Sequence, residues 1–183
     1  MTLNKYLLFI AFAFITPILH SNSQNVKYKL DFHTFYNQVY ITSDGGKAMT
    51  PEADRDMWNE SAYNERLFSF KNFLAVRTES YGHIKGELFV LDKEEAEIDY
   101  SKYGHIVEAG VDAESGILQI LDCPNSSVEL ELKVKPGRYR VRIYSCNMAG
   151  YDSDEKESND FYKVEIWPDK NIEHKVLKQY IKP

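Results

Sequence analysis

Cysteine is scarce, with two residues, Cys123 and Cys146, in a chain of 183. Two thiols cannot build a multi-bridge scaffold, and with no paired histidines beside them they cannot complete a structural zinc site. Positive charge is also in deficit. Lys and Arg number 22 against 28 Asp and Glu, a formal net charge of −6. Such a chain lacks the basic face that sequence-independent binding to nucleic acid uses, so no nucleic-acid partner is expected. The recurrent catalytic spacings are missing too. There is no G-x-S-x-G elbow, no H-E-x-x-H helix, no P-loop and no dinucleotide fingerprint. A cysteine nucleophile needs a base, and nothing in the spacing of His33, His83, His105 or His174 makes one of them a partner for Cys146. The expectation is a protein without catalytic activity and without a cofactor.

Long apolar runs are limited to one, Tyr6 to Leu19. It is shorter than the roughly 20 residues of a membrane-spanning helix. Lys5 precedes it, and Ser21 and Ser23 supply small residues ahead of a cut before Gln24, the layout of a secretory leader. No cysteine stands at that cut to carry a lipid anchor. Residues 1–23 are therefore read as a signal peptide and residues 24–183 as one domain, exported to the periplasm or beyond, with no stable membrane anchor after cleavage. Without Lys5 the charge becomes −7. An oxidising compartment permits a disulfide between Cys123 and Cys146, and the alternative is two separate buried thiols.

What is plentiful is aromatic residues, 14% of the chain, enough to pack a core. Short alternating segments recur along the chain, the mark of antiparallel strands with one buried face. "SVELELKV" puts Val128, Leu130, Leu132 and Val134 on one side, and "RYRVRIYSC" puts Tyr139, Val141, Ile143 and Ser145 on one side with Arg138, Arg140 and Arg142 opposite. Pro136-Gly137 between them is a turn signal. A two-residue loop predicts a hairpin in which Leu132 faces Val141 and Glu131 faces Arg142. Further strands are expected at Val26 to His33, Tyr36 to Thr42, Phe73 to Thr78, Ile84 to Leu91, Ile117 to Leu121 and Phe161 to Trp167. Within 51–66, Thr50 as N-cap and Pro51 at the first helical position predict a short helix, with a second turn after Asn59. The fold class is all-β, an antiparallel β-sandwich of roughly eight strands with this one helical excursion.

"AGYDSDEKESND" then carries Asp152, Asp154, Glu155, Glu157 and Asp160 against a single lysine. Asp152, Asp154, Glu155 and Asp160 could supply oxygens to calcium, although the glycine and closing glutamate of an EF-hand are missing. The other readings are a solvated loop and a protein-docking loop. Docking draws support from the strands on either side. Tyr144, Phe161 and Trp167, with three arginines, would face outward beside the acidic stretch, and aromatic residues and arginine are enriched at interface cores. A pairing of His83 with His105 as metal ligands is weaker than their reading as turn histidines.

With these segments in place a resemblance emerges. "YNQVYI" at Tyr36 to Ile41, "WNESAYNER" at Trp58 to Arg66, and "KPGRYRVRIYSC" occur in an order similar to competence protein J, a family of small β-sandwich proteins that inhibit a DNA-entry nuclease. The likeness spans about Tyr36 to Trp167; the leader, the acidic loop and the C-terminal extension depart from it. It implies a binding protein, an inhibitor or immunity-type partner of a secreted protein such as a nuclease. The alternatives are a carbohydrate or small-ligand module using exposed Trp and Tyr, and a calcium-stabilised structural or adhesion domain.

Overall fold

Thr50 and Asn59 open the two helices through their side chains. In the computed structural model, which describes residues 25–45, 47, 49–79, 81–124, 126–148 and 159–181, Thr50 Oγ1 accepts from Ala53 N at 3.2 Å and Asn59 Oδ1 accepts from Ala62 N at 3.0 Å. Each cap satisfies one of the donors that a helix start leaves free. They set α1 (Pro51–Arg55) and α2 (Glu60–Glu65) inside the expected excursion. The strands are β1 (Val26–Thr34), β2 (Gln38–Thr42), β3 (Leu67–Phe70), β4 (Phe73–Arg77), β5 (Gly82–Val90), β6 (His105–Ala113), β7 (Ile117–Leu121), β8 (Val128–Lys133), β9 (Gly137–Cys146), β10 (Phe161–Pro168) and β11 (Lys175–Lys178). The residues read as a leader lie outside the described ones.

The strands form two sheets, in the orders β1-β5-β10-β9-β6-β11 and β3-β4-β2-β7-β8. The result is the expected all-β sandwich. Its pairs are antiparallel except β5 with β10, which run parallel. The inward alternates of both sheets make one apolar core, including Leu30, Ile41, Leu74, Leu88, Val107, Leu118, Leu132, Val141 and Ile166. A smaller cluster lies beneath the helical excursion, where Met57, Phe73 and Ala75 pack with Tyr40, Trp58 and Phe68. Trp58 Nε1 donates to Gln38 Oε1 at 2.8 Å there, which ties the excursion to β2.

The hairpin expected at Pro136-Gly137 does not form. β8 pairs with β7 in the five-stranded sheet, Leu132 facing Leu118, whereas β9 lies between β10 and β6 in the other. Pro136 and Gly137 instead turn a corner from one sheet to the other. The inward face of β9 is the expected one, since alternation fixes which residues point inward whichever strand lies alongside. The outward arginines select the neighbour. Arg142 falls opposite Glu108 on β6 and Glu165 on β10, and Arg138 opposite Asp112, with Arg138 Nε 3.0 Å from the carboxylate. Arg140 Nε donates to Glu108 Oε2 at 2.7 Å and Arg142 Nε donates to Glu108 Oε1, so one carboxylate is held by two guanidinium groups. Glu165 accepts from Tyr144 Oη at 2.6 Å and lies 2.5 Å from Lys163 Nζ. Burial would lift the Glu165 pKa, but the bonds from Lys163 and Tyr144 bring it below the ordinary value.

This charged ladder is buried because chain segments cover the outer face of the six-stranded sheet. Arg142 also reaches Glu94 and the carbonyl of Glu95, and Tyr103 packs on Tyr144 with ring centroids 4.5 Å apart. On the other side Arg140 Nη1 donates to Asn171 O at 2.9 Å, and Gly110 N donates to Ile172 O at 3.3 Å. A Cβ on Gly110 would come within 2.0 Å of Ile172, so this approach requires glycine. His105, 1% exposed, ties down two further segments. Its Nδ1 accepts from Tyr180 N at 3.2 Å, which leaves Nε2 as the donor to Glu65 O at 3.0 Å. Burial is the first cause that brings its pKa down, from 6.5 to about 4.

The register predicts that Glu108→Gln, which takes from Arg140 its carboxylate and from Arg142 one of three, costs about 3 to 5 kcal/mol in chemical denaturation. Glu131→Gln, on the exposed face of β8, should cost less than about 0.5 kcal/mol. The hairpin register would give Arg142 the opposite partner and reverse that order. His105 sets a pH dependence. The unfolded chain takes up a proton near pH 6.5 and the folded chain not until about pH 4, so stability falls as pH drops through that window. Comparing wild type with His105→Gln at pH 7 and pH 4.5 should isolate a difference on the order of 2 kcal/mol.

Candidate functional site

Three residues of the sequence-based contact surface are withdrawn into the fold. Tyr144 and Trp167 are each 2% exposed, Asp160 is 1% exposed, and Phe161 is half-buried. The covering segments account for Tyr144, and the Arg142 guanidinium lies 4.8 Å from the Trp167 ring centroid. Trp167 is thereby withdrawn from the sugar-stacking role as well. Asp160 accepts from the Tyr162 hydroxyl inside the domain, and Asp152, Asp154, Glu155 and Glu157 lie outside the described residues. Among the described residues no three His, Cys, Asp or Glu converge as a metal site. Two strands, β10 and β9, separate the strand of His83 from that of His105, and His83 stacks instead on His33 at 4.9 Å with Asp31 at 2.5 Å. Cys123 and Cys146 are both free. Cys123 Sγ accepts from Tyr40 Oη at 3.1 Å, and Cys146 Sγ donates to Phe161 O at 3.3 Å. Burial raises both thiol pKa values.

The exposed aromatic residues are elsewhere. At one end of the sandwich, the link from β1 to β2 and the link from β4 to β5 cross between the sheets side by side. Thr78 N donates to Asn37 O at 2.8 Å, and Asn37 Nδ2 donates to Glu79 O at 2.8 Å. The first link turns through two left-handed residues, Tyr36 and Asn37, each with φ of 56°. Asparagine tolerates that region, but a bulky residue such as tyrosine does not adopt it without strain. Phe35, Tyr36 and Tyr81 are 42, 62 and 43% exposed, although their rings touch edge-on at 5.7 and 6.2 Å. Three large aromatic side chains held toward solvent form an apolar patch that the fold itself does not use.

Beside the patch lies a cationic cleft of about 470 Å³, lined in part by Tyr63, Arg66, Arg77, Glu79, Gln179 and Tyr180. Local structure brings the two arginines together. Arg66 caps α2 in a left-handed conformation, φ 58°, and its carbonyl accepts from Arg77 N at 2.9 Å. Arg66 is 5% exposed and pairs with Glu79 at 2.9 Å. The Arg77 guanidinium stacks 4.1 Å from the Tyr63 ring centroid and donates to the Tyr63 hydroxyl at 2.9 Å. Burial and then the positive charge of Arg66 lower the Arg77 pKa. Gln179 Nε2 donates to Asn64 O at 2.9 Å, which holds the C-terminal segment against the cleft. The last residue of the acidic stretch, Asp160, lies at the same end of the sandwich. Tyr162, whose hydroxyl donates to Asp160, accepts there from Glu79 N at 2.7 Å.

Sequence reading missed both features, although one left a signal. Phe35-Tyr36-Asn37 sets two aromatic residues at a turn between strands, where solvent-facing polar residues are the norm. Arg66 and Arg77 carry no such mark, because only the β3–β4 pairing brings them together.

No helix among the described residues is long and apolar enough to cross a membrane. No family model matches the chain, and no curated protein matches it. Solved structures do. The fold is similar to that of ComJ from Bacillus subtilis, described as the inhibitor of the DNA degrading activity of NucA, with 12% identity and a TM-score of 0.57, over 80% of this chain and 98% of that one. It is also similar to crocagin biosynthetic gene J, with 13% identity and a TM-score of 0.52, over 80% of this chain and 99% of that one. The chain has a ComJ-like fold.

Proposed function

We propose that this chain is a non-catalytic, inhibitor-type binding protein, exported by its N-terminal leader, that docks on a secreted protein such as a nuclease through the end bearing Phe35, Tyr36 and Tyr81. The observation that carries this reading is the aromatic trio. Tyrosine on a strained turn, exposed on a domain whose core is already complete, has a role outside the fold. Tyrosine and arginine are also the side chains that dominate binding energy at interfaces, and the Arg66–Arg77 cleft lies next to the patch. The ComJ-like fold supports the same class of function, since ComJ inhibits the DNA degrading activity of NucA. The acidic stretch, anchored at this end through Asp160, would speed encounter with a basic partner at low salt.

The test is to add the purified chain, residues 24–183, to the secreted fraction of its own source and follow degradation of linear duplex DNA. The expected result is saturable inhibition. A Tyr36→Ala, Tyr81→Ala double variant with an unchanged melting profile should need at least about thirtyfold more protein, the loss of a roughly 2 kcal/mol hot spot. Undiminished degradation at micromolar chain, or a double variant that inhibits as well as wild type, would refute the reading.

A further inference from the structure

Among the described residues, the cleft beside the patch is lined by one positive charge more than its carboxylates balance. Two guanidinium groups line it, against the single carboxylate of Glu79. Glu79 lies 2.9 Å from Arg66, and among the described residues Arg77 has no carboxylate within ion-pair distance. Its bond to the Tyr63 hydroxyl uses one Nη2 donor, and Arg66 Nε is buried without an acceptor. Arg77 is half-buried, so water reaches only part of its guanidinium. It lies against Tyr63 and beside a second guanidinium, and like charges set this close favour a bound anion. This occurs on a chain whose overall charge is −6, so local excess positive charge is not a by-product of composition.

We propose that the cleft is a receptor for one carboxylate, an aspartate or glutamate side chain of the protein partner, with Arg77 as its principal ligand. This rests on the docking reading above and names the chemistry of the contact. Three features favour a carboxylate. The planar guanidinium fork matches a carboxylate edge with two parallel hydrogen bonds. One uncompensated positive charge matches a monoanion, whereas a phosphate dianion would bring a surplus negative charge beside Glu79. The Tyr63 and Tyr180 rings on the walls suit the methylene stem of an acidic side chain, and the Gln179 amide lies at the same rim. The source is a protein side chain because the β4–β5 link runs from Arg77 in the cleft to Tyr81 in the aromatic patch, so a partner covering Tyr81 also covers the cleft.

Guanidinium Nε–H resonances of Arg66 and Arg77 in 15N-labelled chain 24–183 test this without any partner. The probes are N-acetylaspartate amide, inorganic phosphate, and sodium chloride at matched ionic strength. The expected result is a saturable shift of the Arg77 resonance with the aspartate amide in the millimolar range, at least fivefold tighter than with phosphate. Arg77→Lys, which keeps the charge but loses the fork, should weaken the saturation several-fold as seen on the Arg66 resonance, with backbone amides of β4 otherwise in place. Shifts that merely follow chloride, or saturation by phosphate alone, would overturn the proposal whatever the Arg77→Lys chain does. Because the Tyr36, Tyr81 variant tests docking and this titration tests the cleft, failure of one does not imitate failure of the other.

Discussion

Glu108, held between Arg140 and Arg142, is the contact on which the architecture turns. A strand with arginines on alternate positions must either expose that face or find carboxylates for it, and β9 finds them on both neighbours. That choice places β9 in the centre of the six-stranded sheet and sends β8 to the other. It also obliges the chain to cover the sheet's outer face, since an ion ladder gains strength only where water is thin and every donor has an acceptor. A one-residue slip of β9 would turn the arginines into the apolar core, so the ladder fixes register as well as partner.

From that arrangement the ends of the sandwich follow. Strands that alternate between sheets are joined by short crossing links, and at one end those links carry the aromatic patch, the arginine cleft and the anchor of the acidic stretch. Function at loops on a rigid scaffold is the ordinary division of labour. At 12% identity the likeness to ComJ concerns the scaffold. The site must be argued from this chain's own links.

Much of the scaffold was legible. Alternation located β1, β2, β4, β5, β7, β8, β9 and β10 to within a few residues, and Thr50 and Asn59 announced the helices. The strand β6 was hidden because "HIVEAGVDA" is buried on both faces, with Glu108 inside, so apolar and polar residues do not mark in from out. The pairing of β8 with β9 was misread because a Pro-Gly turn is compatible with a corner as well as with a hairpin. Trp167 and Tyr144 were assigned outward correctly with respect to the core, but the sequence says nothing about a second cover over that face. Two of the three motifs behind the family resemblance, "YNQVYI" and "WNESAYNER", meet in space at Gln38 and Trp58.

The parallel pairing of β5 with β10 has a consequence for how the chain is made. β10 is also the bridge between the β1-β5 ribbon and the β9-β6-β11 half of its sheet. Until β10 is in place, the N-terminal ribbon keeps the backbone of β5 unpaired along one edge. Closure of the sheet is a late, long-range event, slow by nature and exposed to edge-to-edge association.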